Sequence, residues 1–201
     1  MSSRLGASIC LVFCGLGLAG AAAGTVSEVQ ADAFAQKLIA VALRGVTPPE
    51  AALPSRTRFT EAELNSWVTY RGQGVLPAGV SDMELTMVGA GMVRGKATVD
   101  LATLGQQQAS GDGRSPWSYL GGRIPVTVTG QLHTDDGTGR FDLQGASVSG
   151  VPVPRTVVAD MLAYYSRTAE DPEGFRLDDP FPLPAGIQRI EIGQGQAVVV
   201  Q

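Results

Sequence analysis

Four stretches of this chain alternate apolar and polar residues with a period of two, and glycine-containing turns separate them. In SDMELTMVG (81–89), Met83, Leu85 and Met87 take one side and Asp82, Glu84 and Thr86 the other. Beyond the GAG turn at 89–91, VRGKATVDL sets Val93, Ala97, Val99 and Leu101 against Arg94, Lys96, Thr98 and Asp100. RIPVTVTGQL repeats the pattern with Ile124, Val126, Val128 and Leu132, and RFDLQGASVSG returns it after the HTDDGTG turn. Successive side chains of a strand point to opposite faces, so this pattern predicts half-buried antiparallel hairpins with one apolar face. The last run changes phase. Phe141 and Leu143 are followed by Ala146 and Val148, which predicts one extra residue, a β-bulge, near Gly145. The closing GIQRIEIGQGQAVVVQ predicts a further hairpin that turns at 193–195.

An apolar sheet face needs a partner, and the helical patterns supply one. Residues 27–44 carry Phe34, Leu38, Val41 and Ala42 at helical spacing behind a Ser27/Gln30 capping box, and the Gly- and Pro-containing stretch 45–55 ends this helix as a linker. FTEAELNSWVTYRG (59–72) is the best-specified helix in the chain. Thr60 and Glu63 form a capping box, Phe59 and Leu64 flank it as a hydrophobic staple, and Gly72 is placed to end the helix in a left-handed conformation. Leu64, Trp67 and Val68 share one face. VPVPRTVVADMLAYYSR predicts a third helix with Val157, Val158, Met161, Leu162 and Tyr165 on one side. The order of elements defines an α+β fold: a curved antiparallel β-sheet built of hairpins, with helices packed on its apolar face.

The first 23 residues read differently. Arg4 precedes an apolar stretch at 5–18, and small residues follow at Ala21 and Ala23. This is the pattern of a cleaved secretory signal peptide, too short and glycine-rich to span a bilayer. The expected organisation is therefore signal peptide 1–23, N-terminal helix and Pro-rich linker 24–55, and an α+β domain 56–201 in an exported protein of the periplasm or extracellular space. Both cysteines lie inside the signal, so the mature chain has no thiol chemistry. Loss of Arg4 leaves 14 basic against 19 acidic residues, a net charge of −5 without a basic stripe, which argues against a nucleic-acid partner.

Reactive constellations are sparse. His133, the single histidine, stands beside an Asp-Asp-Gly turn, where a surface role fits better than general-base catalysis. GAGMVRG has dinucleotide-loop glycines at the wrong spacing and leads into a strand, so no helix N-terminus would meet a phosphate. GASVSG misses the nucleophile-elbow pattern at Ser149. The acidic turns lack the alternating ligands of a calcium loop. No enzyme activity, cofactor or metal is expected.

FTEAELNSWV, the hairpins around GRIPVTVTGQL, and PFPLPAGIQRIEIGQGQAVVV together resemble the tubular lipid-binding (TULIP-like) group of bacterial cell-envelope proteins, most of all its YceB-type and LmeA-type families. The resemblance covers 59–201. It implies a curved sheet around a helix, an apolar groove between them, and a lipid or other apolar ligand bound without catalysis. On that reading Leu64, Trp67, Met83, Leu85, Met87, Val126, Val128, Met161 and Leu162 line the groove. The expected partners are a lipid or acyl-chain ligand and a membrane touched transiently. The alternative is an envelope scaffold of the same fold with a filled core.

Overall fold

A computed structural model describes residues 25–46, 54–72, 74, 76, 79–100, 102–103, 122–165, 173, 176 and 179–201. The expected signal peptide, the polar loop at 105–116 and most of the acidic connection after the third helix lie outside these residues. The described helices are α1 (Glu28–Val46), α2 (Glu61–Arg71) and α3 (Arg155–Tyr165). The strands are β1 (Arg56–Thr60), β2 (Val80–Gly89), β3 (Met92–Asp100), β4 (Arg123–Asp135), β5 (Thr138–Val148), β6 (Val151–Val153), β7 (Phe181–Pro182), β8 (Arg189–Gly193) and β9 (Gln196–Val200). They form two antiparallel sheets. The larger has the order β2-β3-β4-β5-β6 with β7 beside β5, and the smaller has the order β1-β9-β8. The fold is α+β on antiparallel sheets, as the alternation demands.

Strand register sorts the large sheet into two unlike faces. One row across five strands is Leu85–Gly95–Val128–Ala146–Val153, and the next is Ala97–Val126–Val148–Val151. The opposite face carries Glu84–Lys96–Thr127–Ser147–Pro152 and Thr86–Arg94–Thr129–Gly145. A slip of one residue would exchange these faces entirely, so the alternation holds the register. The bulge falls where the phase change requires it. Thr129 faces Gly145 and Gly130 faces Leu143, which leaves Gln144 as the extra residue. Three tight turns close the hairpins at Ala90-Gly91, Asp136-Gly137 and Ser149-Gly150, with positive φ at both central residues. That geometry matches the right-handed twist of the strands it joins.

The tightest core lies elsewhere. Phe34 and Val41 of α1, Phe59 of β1, Val199 of β9 and Ile187 cluster together, with Leu64, Trp67, Leu183, Ala185 and Ile190 packed around them. The Phe34 ring meets Phe59 edge-on at 5.1 Å and Trp67 at 5.5 Å. α1 and α2 thus pack on the small sheet and on each other. α1 also runs two residues further than its glycine and prolines suggest. Gly45 sits within its last turn because the backbone of Ala185 approaches there; a Cβ on Gly45 would lie 2.4 Å from the Ala185 Cα. Gly72 ends α2 at φ −72° and not in the left-handed region. Its lack of a side chain serves another purpose, since a Cβ would fall 2.3 Å from the Val68 carbonyl oxygen.

Three strands were not legible as such. β1 (RTRFT) is five residues long and lies beside a helix cap, while β6 and β7 are short and contain proline. β1 adds the outer strand of the small sheet. Among the described residues, no helix is long and apolar enough to cross a membrane.

Candidate apolar site and its scaffold

The polar residues of α2 act as joints. Thr60 Oγ1 accepts from the Glu63 N–H at 3.2 Å and Glu63 Oε2 accepts from the Thr60 N–H at 2.9 Å, so the predicted capping box is complete. Asn65 then mimics a neighbouring strand. Its Nδ2 donates to the Leu85 carbonyl at 2.8 Å and its Oδ1 accepts from the Leu85 N–H at 2.8 Å. Glu61 Oε2 accepts from the Met87 N–H at 2.7 Å, and the Met87 carbonyl accepts from the Gly195 N–H at 2.8 Å. The helix and the β8–β9 turn therefore satisfy the outer edge of β2 at Leu85 and Met87, which would otherwise expose a template for wrong pairing.

The same helix holds α1. Ser66 is fully buried; its Oγ accepts from the Ser27 N–H at 3.1 Å and donates within α2 to the Ala62 carbonyl at 2.6 Å. Ser27 Oγ accepts from the Gln30 N–H at 3.4 Å, so α1 has half of its predicted box and Ser66 stands in for the other half. Lys37 Nζ donates to both Glu63 carboxylate oxygens at 2.7 Å, and Arg71 pairs with Asp32. Burial pushes the Glu63 carboxyl up, but the Lys37 ammonium and the Thr60 N–H and hydroxyl outweigh it and hold the carboxyl below its usual range. These partners explain why so carefully specified a helix carries no reactive group. Sequence reasoning recognised the cap and missed Glu61, Asn65 and Ser66, whose partners lie 20 to 39 residues away.

The nine residues assigned to one groove separate into two groups. Leu64 and Trp67 face α1 and the small sheet in the Phe34 cluster, because Asn65 and Glu61 turn the polar side of α2 toward β2. Met83, Leu85, Met87, Val126 and Val128 belong to the large sheet, and Met161 and Leu162 to α3, which lies against β5. On the large sheet Met87 and Leu143 are buried, but Met83, Leu85, Val93, Val99, Ile124, Val126, Val128 and Val148 are only half-buried. Gly95 lies in the middle of that face. Among the described residues, a Cβ there would meet only Leu85 Cδ2, at 3.6 Å. Gly130 on the same face is different: the Phe141 ring would stand 2.2 Å from its Cβ, so that position is filled.

Other concavities carry charged residues in their lining. A shallow depression of about 660 Å³ between β4 and β8 is rimmed by His133, Asp135, Arg140, Arg189 and Glu191. The Arg56 and Arg189 guanidiniums hold the Glu191 carboxyl below its usual range, and the exposed His133 sits opposite Arg140 on the neighbouring strand. Depressions of about 460 and 490 Å³ lie along the α2–β2 junction, and Met83 is the predicted lining residue that reaches them. Among the described residues, no three His, Cys, Asp or Glu side chains gather as a metal site would require.

No protein-family model matches this chain, and no curated protein matches it.

Proposed function

We propose that this is an exported cell-envelope protein that binds a lipid or other apolar ligand on the apolar face of the large sheet, beside α3, without catalysing a reaction. The observation that carries the reading is that, among the described residues, a Cβ on Gly95 would meet Leu85 Cδ2 alone, at the centre of a face whose neighbouring rows hold no charged residue. The half-burial of Leu85, Val126 and Val128 supports it, as does the resemblance to tubular lipid-binding proteins. The lining set on this reading is Met83, Leu85, Met87, Val126, Val128, Met161 and Leu162, with Leu64 and Trp67 serving the helical core. Apolar contact needs no reactive group: each buried methylene contributes about 0.8 kcal/mol.

Calorimetric titration of delipidated protein with saturated fatty acids of increasing chain length tests this function. Affinity is expected to rise with each methylene and to change little between low and high salt. Affinity that tracks salt and ignores chain length would rule the reading out. Trp67 is a poor reporter for such a titration, because it packs against Phe34 in the other core.

A further inference from the structure

The fold covers its strand edges with care, and one edge stands apart. The outer edge of β2 is satisfied at Leu85 and Met87 by Asn65, Glu61 and the β8–β9 turn. That of β8 is satisfied by Thr134, whose Oγ1 accepts from the Ile190 N–H at 2.8 Å and donates to the Ile190 carbonyl at 3.0 Å, and by the Gly91 N–H, which donates to the Ile192 carbonyl at 3.1 Å. β6 is three residues long and has Pro152 at its centre, two devices that discourage pairing. β1 contains no proline, and among the described residues nothing covers its outer edge. Ser55 and Gln201 exchange both backbone hydrogen bonds, at 2.8 and 3.0 Å. Alternation along the ladder then turns the N–H and C=O groups of Arg56 and Arg58 away from β9. Among the described residues these groups have no partner.

Cations frame this edge on both faces. Arg56 and Arg58 are exposed on one face, beside Arg189 in the next-but-one strand. On the other face Arg44 of α1 reaches Thr57 Oγ1 at 3.1 Å. Arg56 and Arg189 share the single carboxylate of Glu191, and Arg58 has no ion pair among the described residues. The surplus positive charge thus sits on an otherwise acidic protein, along a strand with four open backbone hydrogen-bonding groups. We propose that the free edge of β1 is an interaction surface that takes an extended acidic segment of a partner protein as a fourth strand of the small sheet. Backbone bonds to Arg56 and Arg58 supply the affinity, and carboxylates opposite the two arginines set the specificity.

The test uses the full chain and a capped synthetic peptide that alternates glutamate and valine. Its comparators are the same peptide N-methylated on alternate amides and a peptide that alternates lysine and valine. Fluorescence anisotropy reads binding, and amide hydrogen exchange reads protection at Arg56 and Arg58. The glutamate peptide is expected to bind and to slow exchange at both amides. Neither comparator should bind, and Arg58→Glu should weaken the complex at least tenfold with an unchanged thermal midpoint. Arg58→Pro removes an outward N–H without touching the β9 ladder, and it should abolish binding in protein whose circular dichroism remains native. Absence of glutamate-peptide binding, or equal binding of its N-methylated form, would overturn the proposal and leave the arginines as guards against edge pairing.

Discussion

Ala90 shows how much a single backbone position can store. It occupies φ +52° at the first central position of the β2–β3 turn, where an L-residue with a Cβ is strained by roughly 1–2 kcal/mol. Asp136 takes the corresponding place in the β4–β5 turn, a residue whose short polar side chain tolerates that region. Ala90→Gly is therefore expected to raise stability by about 1 kcal/mol, less the entropy that glycine adds to the unfolded chain. A urea midpoint that falls in the variant would contradict the turn assignment. Asn65 has the opposite sensitivity. Asn65→Leu leaves the Leu85 N–H and carbonyl without their partner at a half-buried edge, and it should cost about 1–3 kcal/mol in the same measurement. A loss near zero would mean that water replaces the amide at no cost.

Among the elements, α2 is the one on which the others converge, and its legibility was uneven for a physical reason. Thr60, Glu63, Phe59 and Leu64 act within one turn of each other, so spacing alone reveals the cap. Glu61, Asn65 and Ser66 act across the tertiary structure, and nothing local marks an asparagine that will imitate a strand. The hairpins were readable because each buries one face, and the bulge at Gln144 was readable because it interrupts that face. The separation of a small sheet from the large one was not, since it depends on β1, a strand too short to announce itself. α1 was readable as a helix, but its place in the Phe34 core depends on partners in α2, β1 and β9. The α1–α2 contact also carries a pH dependence. The folded Glu63 carboxyl titrates below its ordinary value of 4.5, so its stabilising contribution is complete above that pH. It is lost as pH falls through the lower folded value. Glu63→Gln is thus expected to be less stable than wild type near neutrality, with the difference shrinking as pH drops below about 4.5. A difference that widens on acidification would reverse the sign and exclude the Lys37–Glu63 pairing as its source.

At the scale of the whole molecule, two apolar regions divide the labour. The Phe34 cluster packs α1 and α2 onto the small sheet, and the apolar face of the large sheet stays largely half-buried. Gly95 distinguishes a binding face from a filled core more directly than any other residue. Gly95→Leu adds a side chain where Leu85 Cδ2 is the one described atom within 4 Å, at a strand position with no positive φ. If the space is open, the variant keeps or gains stability, since glycine inside a strand costs roughly 0.5–1 kcal/mol. If the face is a closed core, the same change overpacks it at about 1–3 kcal/mol. The deciding measurement is a paired one: the urea midpoint and the fatty-acid affinity of delipidated wild type and Gly95→Leu. The proposed function predicts an equal or higher midpoint for the variant, together with a loss of the chain-length-dependent binding seen in wild type. A lower midpoint in the variant and no binding in wild type would contradict it.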